Sequence, residues 1–152
     1  MAFLPRNTSR GPREEDATRR LAVLGRAPEL VGVAPWFNTP DGEPLGRVHG
    51  QYERDFTVVG VHSPEFAFER SVHNVEHAVR EHGLEYPVGL DNDFVAWNAY
   101  GNRYWPTMYL IDRAGQIRYT QIGEGNYGRT ETAIRTLLAE AVDPAAETRA
   151  AS

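Results

Sequence analysis

From Phe56 onward the chain alternates between two hydrophobic periods, and that alternation restricts it to a layered α/β architecture. Phe56 to Val61 (Phe, Thr, Val, Val, Gly, Val) is a nearly continuous apolar run of strand length. Ser71 then stands where a helix N-cap belongs. Val72, Val75, Ala78 and Val79 follow as an apolar stripe running to His82, with Gly83 suited to the C′ position. Tyr86 to Leu90 predicts a second short strand despite Pro87, and Asp91-Asn92-Asp93 is placed to cap a short helix from Phe94 to Tyr100. Pro106 to Ile111 and Gln116 to Ile122 predict a hairpin that turns at Asp112-Arg113-Ala114-Gly115. Thr130 to Ala141 is the last helix, with Ala133, Ile134, Leu137, Leu138 and Ala141 on one face and Asp143-Pro144 as its stop. The late hairpin makes the expected sheet mixed.

Upstream of Phe56 the signals are weaker. Residues 1–20 are polar, carry Pro5 and Pro12, and read as a flexible tail with a short helix starting at Glu14. Leu21 to Leu24 is a brief apolar run stopped by Gly25, Trp36-Phe37 lies between Pro35 and Pro40, and a turn follows at Asp41-Gly42. Tyr52 to Asp55 reads as the end of a helix. The expected organisation is one domain over residues 21–142, with a C-terminal tail over 143–152.

Composition removes whole classes of chemistry. The 152 residues include no Cys, which excludes a disulfide, a thiolate nucleophile, Cys-ligated zinc and any thiol cycle run by this chain alone. All 16 basic residues are Arg, so neither a Schiff-base lysine nor a P-loop lysine is available. The net charge of −5 argues against nucleic-acid binding, which needs a basic face. No apolar run reaches signal-peptide or membrane-span length, so a cytoplasmic location without a membrane span is expected of the chain as written.

Three motifs have a chemical and a bland reading, and the bland one is preferred each time. Gly123-Glu124-Gly125-Asn126-Tyr127-Gly128 matches G-x-G-x-x-G, but no strand with a ribose-binding acid follows it, so it reads as a Gly-rich turn into a helix. His73-Asn74-Val75-Glu76-His77 matches an inverted zinc-peptidase pattern without a third ligand, and reads as a solvated helix face. Asp91 and Asp93 lack the Gly and distal Glu of a calcium loop, which leaves capping. Ser63-Pro64-Glu65 reads as a helix start with Pro64 at N1, and His49 and His62 have no predictable partner. Tyr104-Trp105-Pro106, an aromatic pair before a proline that opens a strand, is compatible with a cis-proline loop, but the pattern alone leaves it an ordinary turn.

Several runs appear in a recognisable order: Ala27-Pro28-Glu29-Leu30, Trp36-Phe37-Asn38-Thr39-Pro40, Val59 to Glu69, Tyr86-Pro87-Val88, Leu90-Asp91-Asn92-Asp93, Ala99 to Pro106, Tyr109-Leu110-Ile111-Asp112, Ile117-Arg118-Tyr119 and Gly123 to Tyr127. In these runs residues 27–141 resemble the thioredoxin-like domains of the TlpA and DipZ type, a family of thiol–disulfide oxidoreductases that mostly work outside the cytoplasm. The resemblance implies a thioredoxin-like mixed β-sheet flanked by helices, with Pro106 at the position of the family's cis-proline.

One departure is decisive. Between Pro40 and Phe56 the family carries a central strand, Cys-x-x-Cys and most of a long helix. This chain has only Asp41 to Asp55 there, of which Val48 to Glu53 resembles the tail of that helix. Some 25 to 30 residues are missing by that comparison, both cysteines among them. The resemblance places the missing strand between those matching Phe56–His62 and Pro106–Asp112. Its loss would leave two open strand edges unless Leu21 to Leu24, a second copy of the chain or another polypeptide fills the gap.

The resulting expectation is a degenerate, cysteine-less thioredoxin-like domain with no catalytic residue, cofactor or metal, kept as a protein- or peptide-binding module. Its expected binding residues are Ser63, Pro64, Glu65, Phe66, Tyr104, Trp105, Pro106 and Thr107, and its expected partner is an extended peptide, a protein or a second copy of itself. The alternatives are an oxidoreductase active only when a partner supplies the Cys-x-x-Cys segment, and a truncated relic.

Overall fold

The computed structural model describes residues 20–40 and 56–142. The expected tails, the Asp41-Gly42 turn, the Val48–Glu53 helix end, His49 and the Asp143-Pro144 stop lie outside those residues. The elements are β1 (Gly25–Arg26), β2 (Trp36–Phe37), β3 (Gly60–His62), a 3-10 turn (Ala67–Arg70), α1 (Val72–Glu81), β4 (Val88–Leu90), α2 (Val95–Ala99), β5 (Thr107–Ile111), β6 (Gln116–Ile122) and α3 (Tyr127–Val142). The described strands form two three-stranded sheets, ordered β2-β4-β3 and β1-β6-β5, where one continuous sheet was expected. The chain correspondingly divides into two compact units, one within residues 26–107 and one combining 20–25 with 108–142.

In the 26–107 unit, β4 is central. It runs antiparallel to β2, with Trp36 opposite Gly89, and parallel to β3, with Val61 opposite Gly89. The two-residue period of a strand then sorts its side chains. Val88 and Leu90 point to one face, where they pack with Val75 and Val79 of α1 and with Phe37, Leu84 and Tyr86. Gly89 points to the other face, where Val33, Trp36 and Ala96 form a second cluster with Leu30 and Val59. A Cβ on Gly89 would stand 2.5 Å from Val33 Cγ1 and 2.8 Å from the Trp36 ring, so the close approach of Trp36 to the sheet requires glycine there.

Local signals place the helices well. Ser71 Oγ accepts from the Asn74 amide at the start of α1, and Gly83 follows its end with φ +60°. The expected apolar stripe is narrower than its spacing suggested: Val75 and Val79 are buried, but Val72 is 45% exposed. Strand β3 is also shorter than the Phe56–Val61 run, because only Gly60 to His62 find partners on β4. The helix expected at Ser63-Pro64 starts later, as the 3-10 turn at Ala67. Glu69 folds back there, and its carboxylate accepts from the Glu65 and Phe66 amides.

In the other unit, β5 and β6 meet at the expected hairpin, where Asp112 Oδ1 accepts from the Ala114 and Gln116 amides. Leu21 to Leu24 does not act as a substitute central strand. The Leu24 amide donates to Ile117 O, and β1 lies beside β6 on the side away from β5. Helix α3 begins three residues before Thr130, at Tyr127, after Asn126 takes φ +53° and ends the Gly-rich turn. Arg118 ties this unit together. Its side chain, 10% exposed, donates to Asp112 Oδ2 and Glu140 Oε2 at 2.9 and 2.8 Å, and twice to Leu21 O. Burial lowers the pKa of the guanidinium, but the two carboxylates outweigh it and hold the pKa above its ordinary value, so the group stays charged.

Candidate functional site

The loops after β3 and before β5 meet through one bond. The Trp105 indole Nε1 donates to Ser63 O at 2.9 Å. Ser63 is itself anchored from below, its hydroxyl donating to Asp91 Oδ2 at 3.0 Å. Asp91 is 1% exposed and also accepts from the Ala96 amide at 3.0 Å and the Trp97 amide at 2.8 Å. It therefore accepts from the first turn of α2, three residues ahead of the N-cap Phe94, and in addition fixes the loop that holds Trp105. Trp97, carried on α2, stacks on Trp105 with ring centroids 4.1 Å apart, and Phe94 meets Trp97 edge-on at 6.1 Å. The Trp105–Pro106 peptide bond is cis, and Thr107 Oγ1 donates to Tyr104 O, closing the turn.

The eight expected binding residues separate into two kinds. Ser63 and Pro64 are buried supports, whereas Tyr104, Trp105, Phe66, Glu65 and Pro106 are exposed and Thr107 is half-buried. Phe66 is 55% exposed and stacks on Phe68, itself 66% exposed, at 5.8 Å with nearly parallel rings. Tyr104 and Trp105, 60% and 44% exposed, likewise keep aromatic surface in water. Trp97 and the second use of Asp91 were missed by the sequence reading. Asp91 had been read as a cap alone, and nothing in its neighbours signals the bond to Ser63, 28 positions away.

A cavity of about 280 Å³ lies nearby in the same unit, lined by His62, Phe68, Glu69, Val75, Val79 and Val88 among others. His62 Nε2 lies 3.2 Å from Glu69 O, so its ring is held by backbone. His73 and His77 are exposed on α1, with His77 beside Glu81 at 3.6 Å and Glu76 beside Arg80. No group of three or more metal-ligating side chains occurs among the described residues. None of their helices is long and apolar enough to cross a membrane.

Comparison with known proteins bears on this arrangement. No protein-family model matches the chain. Protein DipZ of Mycobacterium tuberculosis (strain CDC 1551 / Oshkosh) is 36% identical over 156 residues, covering 83% of this chain, and DipZ of Mycobacterium bovis matches equally. The thiol-disulfide oxidoreductase YkuV of Bacillus subtilis is 29% identical over 90 residues, 59% of this chain and 61% of YkuV. Among solved structures, the crystal structure of a thioredoxin-like superfamily protein superposes with a TM-score of 0.63 at 24% identity, over 76% of this chain and 97% of that one. The solution structure of an oxidized thioredoxin-like protein gives 0.61 at 22% identity, over 76% and 96%.

The chain is a thioredoxin-like relative of DipZ. It spans only 22% of the length of DipZ. The DipZ alignment also measures what this thioredoxin-like chain lacks. Since 83% of 152 residues is about 126, about 30 of the 156 aligned positions have no counterpart here. That agrees in size with the stretch expected to be missing between Pro40 and Phe56, and the chain contains no cysteine.

Proposed function

We propose that this thioredoxin-like domain is a binding module, redox-inactive on its own, that holds an extended peptide or protein segment against its aromatic loops. The observation that carries this reading is the Trp105 Nε1–Ser63 O bond, which fixes an exposed Trp105 and Tyr104 on a loop anchored through Ser63 to buried Asp91. Rigid, half-exposed aromatic side chains lose little conformational entropy when a partner covers them, which is why such residues dominate binding energies. Without a thiolate the loop has no nucleophile to present, so recognition is what remains of it.

The test is a pull-down with the full chain, followed by affinity measurement on each captured protein. Trp105→Ala is expected to weaken binding about 30-fold, in line with a loss of about 2 kcal/mol at an aromatic anchor. Wild-type affinity in both Trp105→Ala and Tyr104→Ala would remove the loops from the interface.

A second reading is supported by the roughly 30 DipZ positions absent here and by the place of β3 at the edge of its sheet among the described residues. A partner supplying that stretch with its cysteines would restore an oxidoreductase in trans. Insulin reduction by dithiothreitol is expected to accelerate at least ten-fold in the mixture over either component. Equal rates for the mixture and the fragment alone would dispose of it.

A further inference from the structure

The strand pattern identifies which backbone groups in and next to β3 make no hydrogen bond to β4 among the described residues. The Gly60 amide donates to Pro87 O, and His62 O accepts from the Asp91 amide. Residues 60 and 62 therefore direct their polar groups at β4. Along a strand these groups alternate sides, so the N–H and C=O of Val59 and Val61 face the other way. Among the described residues β3 has β4 as its sole strand neighbour. Phe56, Val58 and Val61 are 45%, 44% and 38% exposed along the same stretch. An apolar strand with an unpaired edge is a template for one more strand.

We propose that this edge of β3 captures a single apolar strand from another polypeptide, using the outward amide and carbonyl groups of Val59 and Val61. The occupant is a segment equivalent to the roughly 30 DipZ positions that this chain lacks. The inference rests on the reading that the domain binds an extended segment, and it assigns that segment to the sheet edge, separately from the aromatic loops. The size of the missing stretch favours this occupant, since it is long enough for a strand of ordinary length and more. The apolar character of Phe56, Val58 and Val61 calls for an apolar strand beside them.

The probe is a synthetic peptide covering the stretch of Mycobacterium tuberculosis DipZ that has no counterpart here, with any cysteine replaced by serine. It is titrated into the full chain while amide hydrogen exchange is followed by NMR. At saturation the Val61 amide is expected to exchange at least ten-fold more slowly, the mark of a new hydrogen bond at that group. N-methylating alternate amides of the peptide, which leaves the chain itself untouched, is expected to weaken binding about ten-fold for one of the two alternate sets. Val61→Pro is expected to weaken it similarly, because proline removes an outward donor and sparing β4 leaves the strand itself tolerable. Saturation with an unchanged Val61 amide would overturn the proposal. So would an absence of binding up to millimolar peptide, or a dimer of the chain in which the Val61 amide is already protected. None of these results alters the outcome of the Trp105→Ala test, so the two readings fail separately.

Discussion

Asp91→Ala is expected to destabilise the 26–107 unit by about 3 kcal/mol, among the largest effects available to a single substitution here. The carboxylate is 1% exposed and accepts from the Ser63 hydroxyl and the Ala96 and Trp97 amides. Alanine would leave all three donors without that partner, and unsatisfied buried donors cost more than the bonds themselves contributed. Asp91→Asn retains the shape and part of the acceptor capacity, so about half the loss is expected. Urea unfolding followed by tryptophan fluorescence reads this unit alone, because Trp36, Trp97 and Trp105 all belong to it. A loss below about 0.5 kcal/mol for Asp91→Ala would show that water takes over the donors. The same variant is expected to loosen Trp105, because the Ser63 carbonyl that holds the indole is positioned from Asp91.

Arg118→Met is expected to cost a similar amount, about 3 kcal/mol, in the other unit. Removing the guanidinium strands two carboxylates that are about 80% shielded, Asp112 and Glu140, and frees Leu21 O. Desolvation of an uncompensated charge, rather than loss of attraction, dominates that cost. Replacing Asp112 and Glu140 with their amides in the Arg118→Met background is therefore expected to recover part of the stability. With no tryptophan in this unit, far-UV circular dichroism and hydrogen exchange in β6 and α3 are the appropriate measurements. A single variant as stable as the parent, with both carboxylates retained, would mean that water enters the site and solvates them.

Features encoded within a few residues were legible in the sequence. Ser71 was identified as a cap and Gly83 as a stop because a cap bonds three residues ahead and a C′ glycine needs only its own φ. The Asp112–Gly115 turn was legible for the same reason. Boundaries that depend on a partner were not. The Phe56 run looked like a full strand, yet pairing starts at Gly60, where Val88 stands opposite. The helix expected at Ser63 was displaced to Ala67 once Glu69 bound the Glu65 and Phe66 amides. In the candidate site, Tyr104, Trp105 and Phe66 were named from the resemblance, and their exposure came from the structure. Their support by Asp91 and Trp97 was not legible, since those contacts join residues 8 to 42 positions apart on separate elements.

By itself the sequence determined the order of elements from Phe56 onward, the α/β class, the local caps and the absence of cysteine, because each depends on residue type or on short-range spacing. Tertiary structure alone decided that the described strands divide into two sheets, that Leu24 bonds to β6, and that β3 has β4 as its sole strand neighbour among the described residues. Strand pairing decides such features. A strand's hydrogen bonds are made with residues far along the chain, so its own side chains specify which face is apolar but not which neighbour, if any, stands beside it.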